Sequence, residues 1–593
     1  MAALFTTPKR NDTTAGTHVA EPDVRRRIGL AHGSWRRVTR RIVCGLACAL
    51  TVSSLLMPSV SLAAEWVKVG GNKYNTAASD EAGTWSWDGA DDLKLNNYNG
   101  GEIQAAGKLN VNYSGTNIVT AEWIESINVS HGTNENAELN IQGDEGGTLS
   151  VTSTEDAILT TGNINIDGAG SVNATSTGFD AINAGGDLAI KGSGNVNATG
   201  ASDGIRANGN ITIDDSGAVT ARATKDKGIG ADKNLTIKGG GTVEASSADG
   251  EALWSGDNIN ISDGSQVKAS SEEDAAVEAK GSLAATNASL NVNGVEYGVY
   301  AHKGITLDHA NVTVRASKGR YGGANALFTY QDDIVVKNGS TVDAFAEGEV
   351  SAAFSTRNDR PNEKGGHIYI SDSVVKAIAR YVENGDGPIP YSENQDGETR
   401  REPQGENIGI IAQTSEGVTP AVISIIRSKV TAEGDTAAIF ARAMSADGKT
   451  IGTIKIENAA IQTPEGGKVI DYRSKEELHD GIMYEAGQTI GMGDVTIDSP
   501  YNEAVAKRAV IAPPEEAKPE VNPAVAKPEV KPAEQQTLVT DSKVKPAEAK
   551  KNLPATGDAS LVGFAATAFA GVAAAFASLV ALLVGFVARL KRE

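Results

Sequence analysis

Two successive segments decide the fold. The first is Ile164-Asn165-Ile166, Val172-Asn173-Ala174 and Asp180-Ala181-Ile182, and the second is Leu188-Ala189-Ile190, Val196-Asn197-Ala198 and Asp203-Gly204-Ile205. Each holds an apolar–polar–apolar triplet, then a Val-x-Ala triplet, then one apolar position among small residues. The unit recurs. First triplets begin at Leu139, Ile164, Leu188, Ile211, Leu235 and Ile259, spaced 25, 24, 23, 24 and 24 residues apart. The second triplet returns at Val219, Val243 and Val267, and the third position at Ile158, Ile229, Leu253, Val277 and Val299. Gly, Asp, Asn and Ser fill the gaps, as tight turns require.

Alternation in pieces this short marks strands with one buried face. A repeat of this length cannot bury that face alone, so neighbouring repeats must stack on it. The expected fold is therefore all-β: a right-handed parallel β-helix with three strands and about 24 residues per coil. Like residues would stack about 4.8 Å apart. Ile305, Ile334, Ile368, Ile423 and Ile454 carry the first strand onward, and Ile410 and Ile439 the third, which extends the helix over 138–474. Residues 381–407, with Pro388, Pro390 and Pro403, are expected to loop out between the second and third strands of one coil. Open ends of such a stack expose unpaired strand edges and need covers. Residues 65–137 hold Trp66, Trp85, Trp87 and Trp123, fit the period poorly and read as the N-terminal cap, with first coils emerging near Ile103 and Leu109. Residues 475–511 read as the C-terminal cover.

Beyond the repeats the composition changes. Residues 512–552 are Pro, Ala, Lys, Glu and Val without periodicity, a disordered linker extended at about 3.1 Å per residue. Segment 553–593 then holds Leu553-Pro554-Ala555-Thr556-Gly557, an uncharged apolar run over 561–588, and Arg589, Lys591 and Arg592. That run is long enough for one transmembrane helix, for which about 20 residues suffice, with its basic end favoured on the cytoplasmic side. At the other end Arg36, Arg37, Arg40 and Arg41 precede an apolar stretch from Ile42 to Leu62, followed by Ala63 and Ala64. This is the pattern of a secretory signal peptide over 1–64 with a long basic region, cut after Ala63 or Ala64. The stretch before Arg36 is long for a leader and points to a translation start after Met1.

Motif, apolar run and basic tail, in that order, resemble the LPxTG sorting signal of Gram-positive surface proteins. The resemblance implies that a sortase cleaves between Thr556 and Gly557 and joins the Thr556 carboxyl to peptidoglycan. Membrane insertion through 561–588 would then be transient and the protein exposed on the cell wall. An anchor that keeps its helix is the alternative.

Leader and tail also change the charge. Residues 1–63 and 557–593 together carry 12 of the 54 Lys/Arg and 5 of the 75 Asp/Glu, leaving 42 basic and 70 acidic side chains over 64–556, a net charge of −28. Such a surface repels phosphate backbones and excludes nucleic acid as a partner. Both cysteines, Cys44 and Cys48, leave with the leader, so stability must come from the core and not from disulfides.

Enzyme motifs are absent: no phosphate loop, no Gly-x-Ser-x-Gly elbow and no Cys nucleophile. His131, His302, His309, His367 and His479 are scattered without metal-ligand spacing and read as solvated surface residues. Two columns remain as candidates. Asp156, Asp180 and Asp203 each sit two residues before the third apolar position, with Asp226 and Asp249 near the same register. Stacked carboxylates repel unless neutralised. Calcium could bridge them, or each could bond N–H groups of its own turn. The second column is the residue after each third-strand apolar position, which should point outward: Asn183, Arg206, Gly230, Trp254, Glu278, Tyr300, Phe328, then Ile411 and Phe440. Trp254, Tyr300 and Phe328 suit stacking on sugars or on a partner protein, unless the 381–407 loop covers them.

The Asp203-Gly204-Ile205 turn and triplets such as Leu188-Ala189-Ile190 resemble bacterial carbohydrate-binding β-helix domains with recurrent Asp-Gly-Ile turns. That family implies calcium-assisted binding of acidic polysaccharide without cleavage; here only Asp203-Gly204-Ile205 keeps the full turn, and elsewhere Gly becomes Ala or the Asp drifts. Parallel β-helices also include polysaccharide lyases, whose chemistry uses calcium on carboxylates and a base. Three functions follow: a glycan-binding or adhesive surface protein, a lyase-like glycan-active enzyme, and a passive stalk. Only the anchoring can be tested from sequence alone. Thr556→Ala is expected to abolish covalent linkage to wall fragments and leave the protein in membrane or medium, read by fractionation after muralytic digestion.

Overall fold

The computed structural model describes residues 63–514 except 131–136, 320–321, 361–364, 383–405, 416–417, 446–448, 479–480, 495 and 498–501. Most of the leader, the body of the 381–407 loop, nearly all of the Pro-rich linker, the sorting motif and the membrane segment lie outside the described residues. Every regular element among the described residues is a strand, and the strands fall into three sheets. Sheet 1 carries the first triplets (Glu138–Gly143, Asn163–Gly168, Leu188–Lys191), sheet 2 the Val-x-Ala triplets (Thr148–Ser153, Ser171–Ser176, Val196–Gly200), and sheet 3 the third positions (Ile158–Thr160, Ile182–Ala184, Ile205–Ala207). The chain visits the three in turn, as a parallel β-helix does.

Register follows the repeat residue for residue. Ile164 pairs with Leu139 and Leu188, Val196 with Val172 and Val219, and Ile205 with Ile182 and Ile229. Period-two alternation sends these side chains inward, where they are buried in one continuous core. Later coils keep the pairing through Ile305, Ile334, Ile368, Ile423 and Ile454 in sheet 1 and Ile410 and Ile439 in sheet 3.

The corner between sheets 1 and 2 explains much of the Gly, Asp and Asn content. One residue there takes a left-handed backbone: Gly192 (φ 79°), Asp215 (φ 46°), Gly239 (φ 77°), Asp263 (φ 58°) and Asn287 (φ 49°) in successive coils. Gly, Asn and Asp tolerate that region best. His309 (φ 52°) and Arg427 (φ 47°) occupy it later.

The ends are built differently from the middle. Trp66–Val69 pairs antiparallel with Ile103–Ala106, and Trp85–Trp87 with Asp92–Asn96, so this segment does close the first edges. Parallel coiling already runs through this segment, where Leu109 pairs with Leu139 and Ile103 with Ile127. The interval of 30 residues between Leu109 and Leu139, against the usual 24, is what makes these coils irregular. Trp123 belongs to no cap core: it lies in a turn between sheets 2 and 3 and is 80% exposed. At the other end the cover starts before residue 475. Lys468–Leu478 and Gly481–Gly491 form an antiparallel hairpin whose second strand pairs antiparallel with Ala437–Ser445 of sheet 3. Arg508–Ala512 likewise pairs antiparallel with Lys429–Gly434 of sheet 2. Antiparallel strands end a parallel stack because they satisfy its last edge without offering a matching apolar register to another coil.

The columns make a direct prediction. Val219 is fully buried between Val196 and Val243, and burying an unpaired polar group there costs several kcal/mol, more for a charge. Val219→Asp is expected to abolish the cooperative β-sheet melt followed by circular dichroism at neutral pH.

Candidate functional site

The outward face of sheet 3 is a grid. In the column after each inward apolar residue, pairing runs Asn183–Arg206–Gly230–Trp254–Glu278–Tyr300–Phe328–Ser355–Ile411–Phe440. The Trp254, Tyr300 and Phe328 expected outside therefore do share one column, with Glu278 between Trp254 and Tyr300. A second column lies at the corner two residues before each apolar position. It reads Asp156, Asp180, Asp203, Lys227, Glu251, Ala275, Tyr297. The register thus passes to Lys227 and Glu251, with Asp226 one residue and Asp249 two residues before it.

Each of the three aspartates accepts a backbone N–H from the next coil. Asp156 Oδ1 accepts the Asp180 N–H (2.9 Å), Asp180 Oδ1 the Asp203 N–H (2.9 Å), and Asp203 Oδ1 the Lys227 N–H (2.6 Å). Each carboxylate therefore serves the next coil and not its own turn. The second oxygens face Asn183 Nδ2, at 3.1 Å from Asp156 and 3.0 Å from Asp180, and Arg206, at 3.4 Å from Asp203. Burial raises all three carboxyls above the usual range, Asp203 to about 6. For calcium, these oxygens are already engaged. Among the described residues the trio whose ligand oxygens converge within 4.8 Å is instead Asp88, Asp91 and Asp92 in the N-terminal cap, where Asp88 Oδ1 accepts the N–H groups of Ala90 and Asp92.

Next along the face the chemistry changes from carboxylates to rings. Lys227 Nζ pairs with Asp226 and lies 5.3 Å from the centroid of the Trp254 ring, a cation–π distance. Gly230 makes room for it, since a Cβ there would stand 2.8 Å from Lys227 Cδ. Two coils on, Tyr300 stacks on His302 (4.4 Å between centroids, 19° between planes) and on Tyr297 (5.0 Å, 26°), and Phe328 lies 5.2 Å from both tyrosines. Trp254, Tyr297, Tyr300, His302 and Phe328 are all half-buried.

Between the rings sits a charged group that the sequence did not single out. Glu278, 7% exposed, contacts Lys280 Nζ and lies 2.9 Å from His302 Nε2. Its carboxyl also hydrogen-bonds that of Glu251 across the coil spacing. Burial pushes Glu251 up to about 7, helped by its bond to Glu278. Burial acts to raise Glu278 too, but hydrogen bonds with Glu251, Lys280 and His302 outweigh it and hold Glu278 below the usual carboxylate range. One proton shared between two carboxyls is the consequence.

Other expectations resolve differently. His302 is no isolated surface residue. His367 is buried, its Nδ1 accepting the Val422 N–H at 3.1 Å and its backbone N–H donating to Asp333 Oδ1 at 2.9 Å, and burial lowers the ring's affinity for a proton. His131 and His479 lie outside the described residues, as does most of the loop expected to roof the aromatics. Ile411 and Phe440 are buried by the C-terminal cover, with Tyr472 packed edge-on to Phe440 at 5.0 Å. A shallow groove of about 310 Å³ at the sheet 1–sheet 2 corner is walled by Gly, Ala, Ser, Asn and Thr with only His309 titratable, and offers no comparable constellation. Comparison of the chain with protein-family models, with curated proteins and with solved structures finds no match.

The Glu251 shift fixes a sign. Its value in the fold lies above its ordinary 4.5, so between pH 4.5 and about 7 the folded state holds more protons than the unfolded chain. The contribution is favourable below that window and is lost as pH rises through it. Glu251→Gln cannot ionise and still donates to Glu278. It is expected to raise the melting temperature over wild type by roughly 1–2 °C at about pH 8, with no gain near pH 4.5.

Proposed function

We propose that this chain is a secreted, cell-wall-anchored surface protein whose β-helix presents a glycan-binding face on sheet 3, between Arg206 and Phe328. Wall attachment rests on the Leu553-Pro554-Ala555-Thr556-Gly557 motif with its apolar run and basic tail, and implies sortase and peptidoglycan as partners. Binding rests on one observation: the half-exposed ladder Tyr297–Tyr300–His302–Phe328, with Trp254 two strands away, on the outside of a continuous sheet. Flat rings pack against the C–H faces of sugars, and a sheet holds them in place before the ligand arrives, which lowers the ordering cost of binding. Trp254 and Tyr300, two coils apart, stand about 10 Å from each other, close to two sugar units along a chain.

A lyase-like reading draws on Glu278 with Lys280 and His302, a carboxylate beside candidate bases. Hydrolysis is less well served, because glycosidase carboxyls stand about 5–9.5 Å apart, whereas Glu251 and Glu278 are in hydrogen-bond contact. Ultraviolet detection of unsaturated sugar ends after incubation with polysaccharide separates lyase from binder. A passive stalk would show neither cleavage nor binding.

The variant Trp254→Ala/Tyr300→Ala is expected to weaken glycan binding by roughly 5- to 30-fold, about 1 kcal/mol per ring, while the melting temperature moves little. Phe440→Ala gives the contrast: its ring is fully buried, and truncation costs about 3–5 kcal/mol. Affinity on a glycan array, with and without calcium, and melting curves on the same samples read both effects. A large loss of stability in the double variant with unchanged affinity would end the reading of this face as a binding surface.

A further inference from the structure

The charges set between the rings say what kind of glycan fits, an inference that rests on the binding reading above. Glu278 stands in the outward column between Trp254 and Tyr300, and Glu251 reaches it from the corner column one coil before. The cations in these columns and the next are committed to partners: Arg206 to Asp203 and Asp232, Lys227 to Asp226, Lys280 to Glu278. No cation in these positions is left to meet a ligand carboxylate, and the surrounding 64–556 segment carries its −28 net charge. An acidic sugar here would set its carboxylate against Glu278. An amine-bearing sugar would have to displace Lys280 and His302, which already satisfy that charge.

We propose that the ligand is an uncharged glycan, stacked on Trp254 and Tyr300, whose intervening hydroxyls bond the Glu251–Glu278 pair. Sugar hydroxyls both donate and accept. Glu251 spends its one O–H on Glu278, so the pair meets hydroxyls as an acceptor, through carboxyl oxygens that carry one negative charge between them. Charge-assisted bonds of this kind are about twice as strong as neutral ones. The pair stays together with a single charge only while Glu251 keeps its proton, which burial secures up to about pH 7. Affinity should therefore hold below that pH and fall above it, as a second carboxylate appears beside the first and the two repel.

The test is calorimetric titration of the full chain with three probes: uncharged oligosaccharides (xylo-, cello-, malto- and manno-oligosaccharide series), polygalacturonate, and chitosan oligosaccharide. Titrations run from below to above neutral pH. An uncharged series is expected to bind, with affinity dropping on the alkaline side. Glu251→Gln should flatten that pH profile while keeping the acid-side affinity within a few-fold. Glu278→Gln should lower affinity by roughly tenfold, the equivalent of about 1.4 kcal/mol, with its melting curve confirming the fold. Preferential binding of polygalacturonate or chitosan overturns the inference. So does binding of an uncharged glycan that responds to Trp254→Ala but not to either glutamine variant, a result that leaves the glycan-binding reading standing. Absence of binding by all three probes overturns that reading itself, and the inference with it.

Discussion

Everything in this molecule depends on like residues stacking in register from one coil to the next. A single coil has three short strands and no way to hide its apolar side chains; the next coil hides them and is left with the same problem. The Ile158–Ile182–Ile205–Ile229–Leu253 column in sheet 3 shows the constraint at work, since a one-residue slip would turn every one of these side chains to solvent. Specificity of register comes from this column and its counterparts, and stability comes from their sum. The two antiparallel closures at Gly481–Gly491 and Arg508–Ala512 follow from the same logic, because an unclosed stack would recruit a further strand.

Corners are held by a second kind of ladder, polar and equally periodic. Between sheets 3 and 1, Asn163 Oδ1 accepts the Asp187 N–H, Asp187 that of Asn210, Asn210 that of Asn234, and Asn258 that of Ser282. At the edge of sheet 2, Ser153 and Ser271 donate to turn carbonyls of the preceding coil at 2.7 and 2.8 Å. Turn N–H and C=O groups have no strand partner, and a buried one left unpaired is costly. The Asp156–Asp180–Asp203 column is the same device at a third corner. Its regular spacing is what made it resemble a metal ladder, although hydrogen bonding along the stack accounts for the spacing without an ion.

The fold was legible because it is written in apolar residues, whose two-residue alternation survives almost any outward substitution. The outward Trp254–Tyr300–Phe328 column was legible for the same reason, being one position removed from the apolar register. The Glu251–Glu278 pair was not. Asp226 and Asp249 drew attention by residue type, whereas the corner register had passed to Lys227 and Glu251. Nothing local joins Glu251 to Glu278 or Glu278 to His302; they meet only because coils of about 24 residues place them on adjacent strands. Carrying the two-residues-back count on past Asp203 would have placed Glu251 beside the outward column that already held Glu278. The early coils showed only at Ile103 and Leu109, because the longer interval from Leu109 to Leu139 breaks the period while the pairing persists.

Separation of duties between the two sides of a strand gives the face its freedom. In the strand Leu253–Ser255, Leu253 and Ser255 point into the stack and are fully buried, while Trp254 points out. Outward residues therefore carry little of the fold's stability and can collect groups that a core would reject, such as two carboxyls in contact. Their mutual position is nevertheless fixed, because each is tied to an inward residue whose register cannot slip. Tyr297, Tyr300, His302 and Phe328 pay little ordering entropy to stand as a stack, since neighbouring strands already hold their backbones one coil spacing apart. A surface assembled this way is rigid without being buried, the physical condition a shallow ligand site needs when it has no pocket to enclose its ligand.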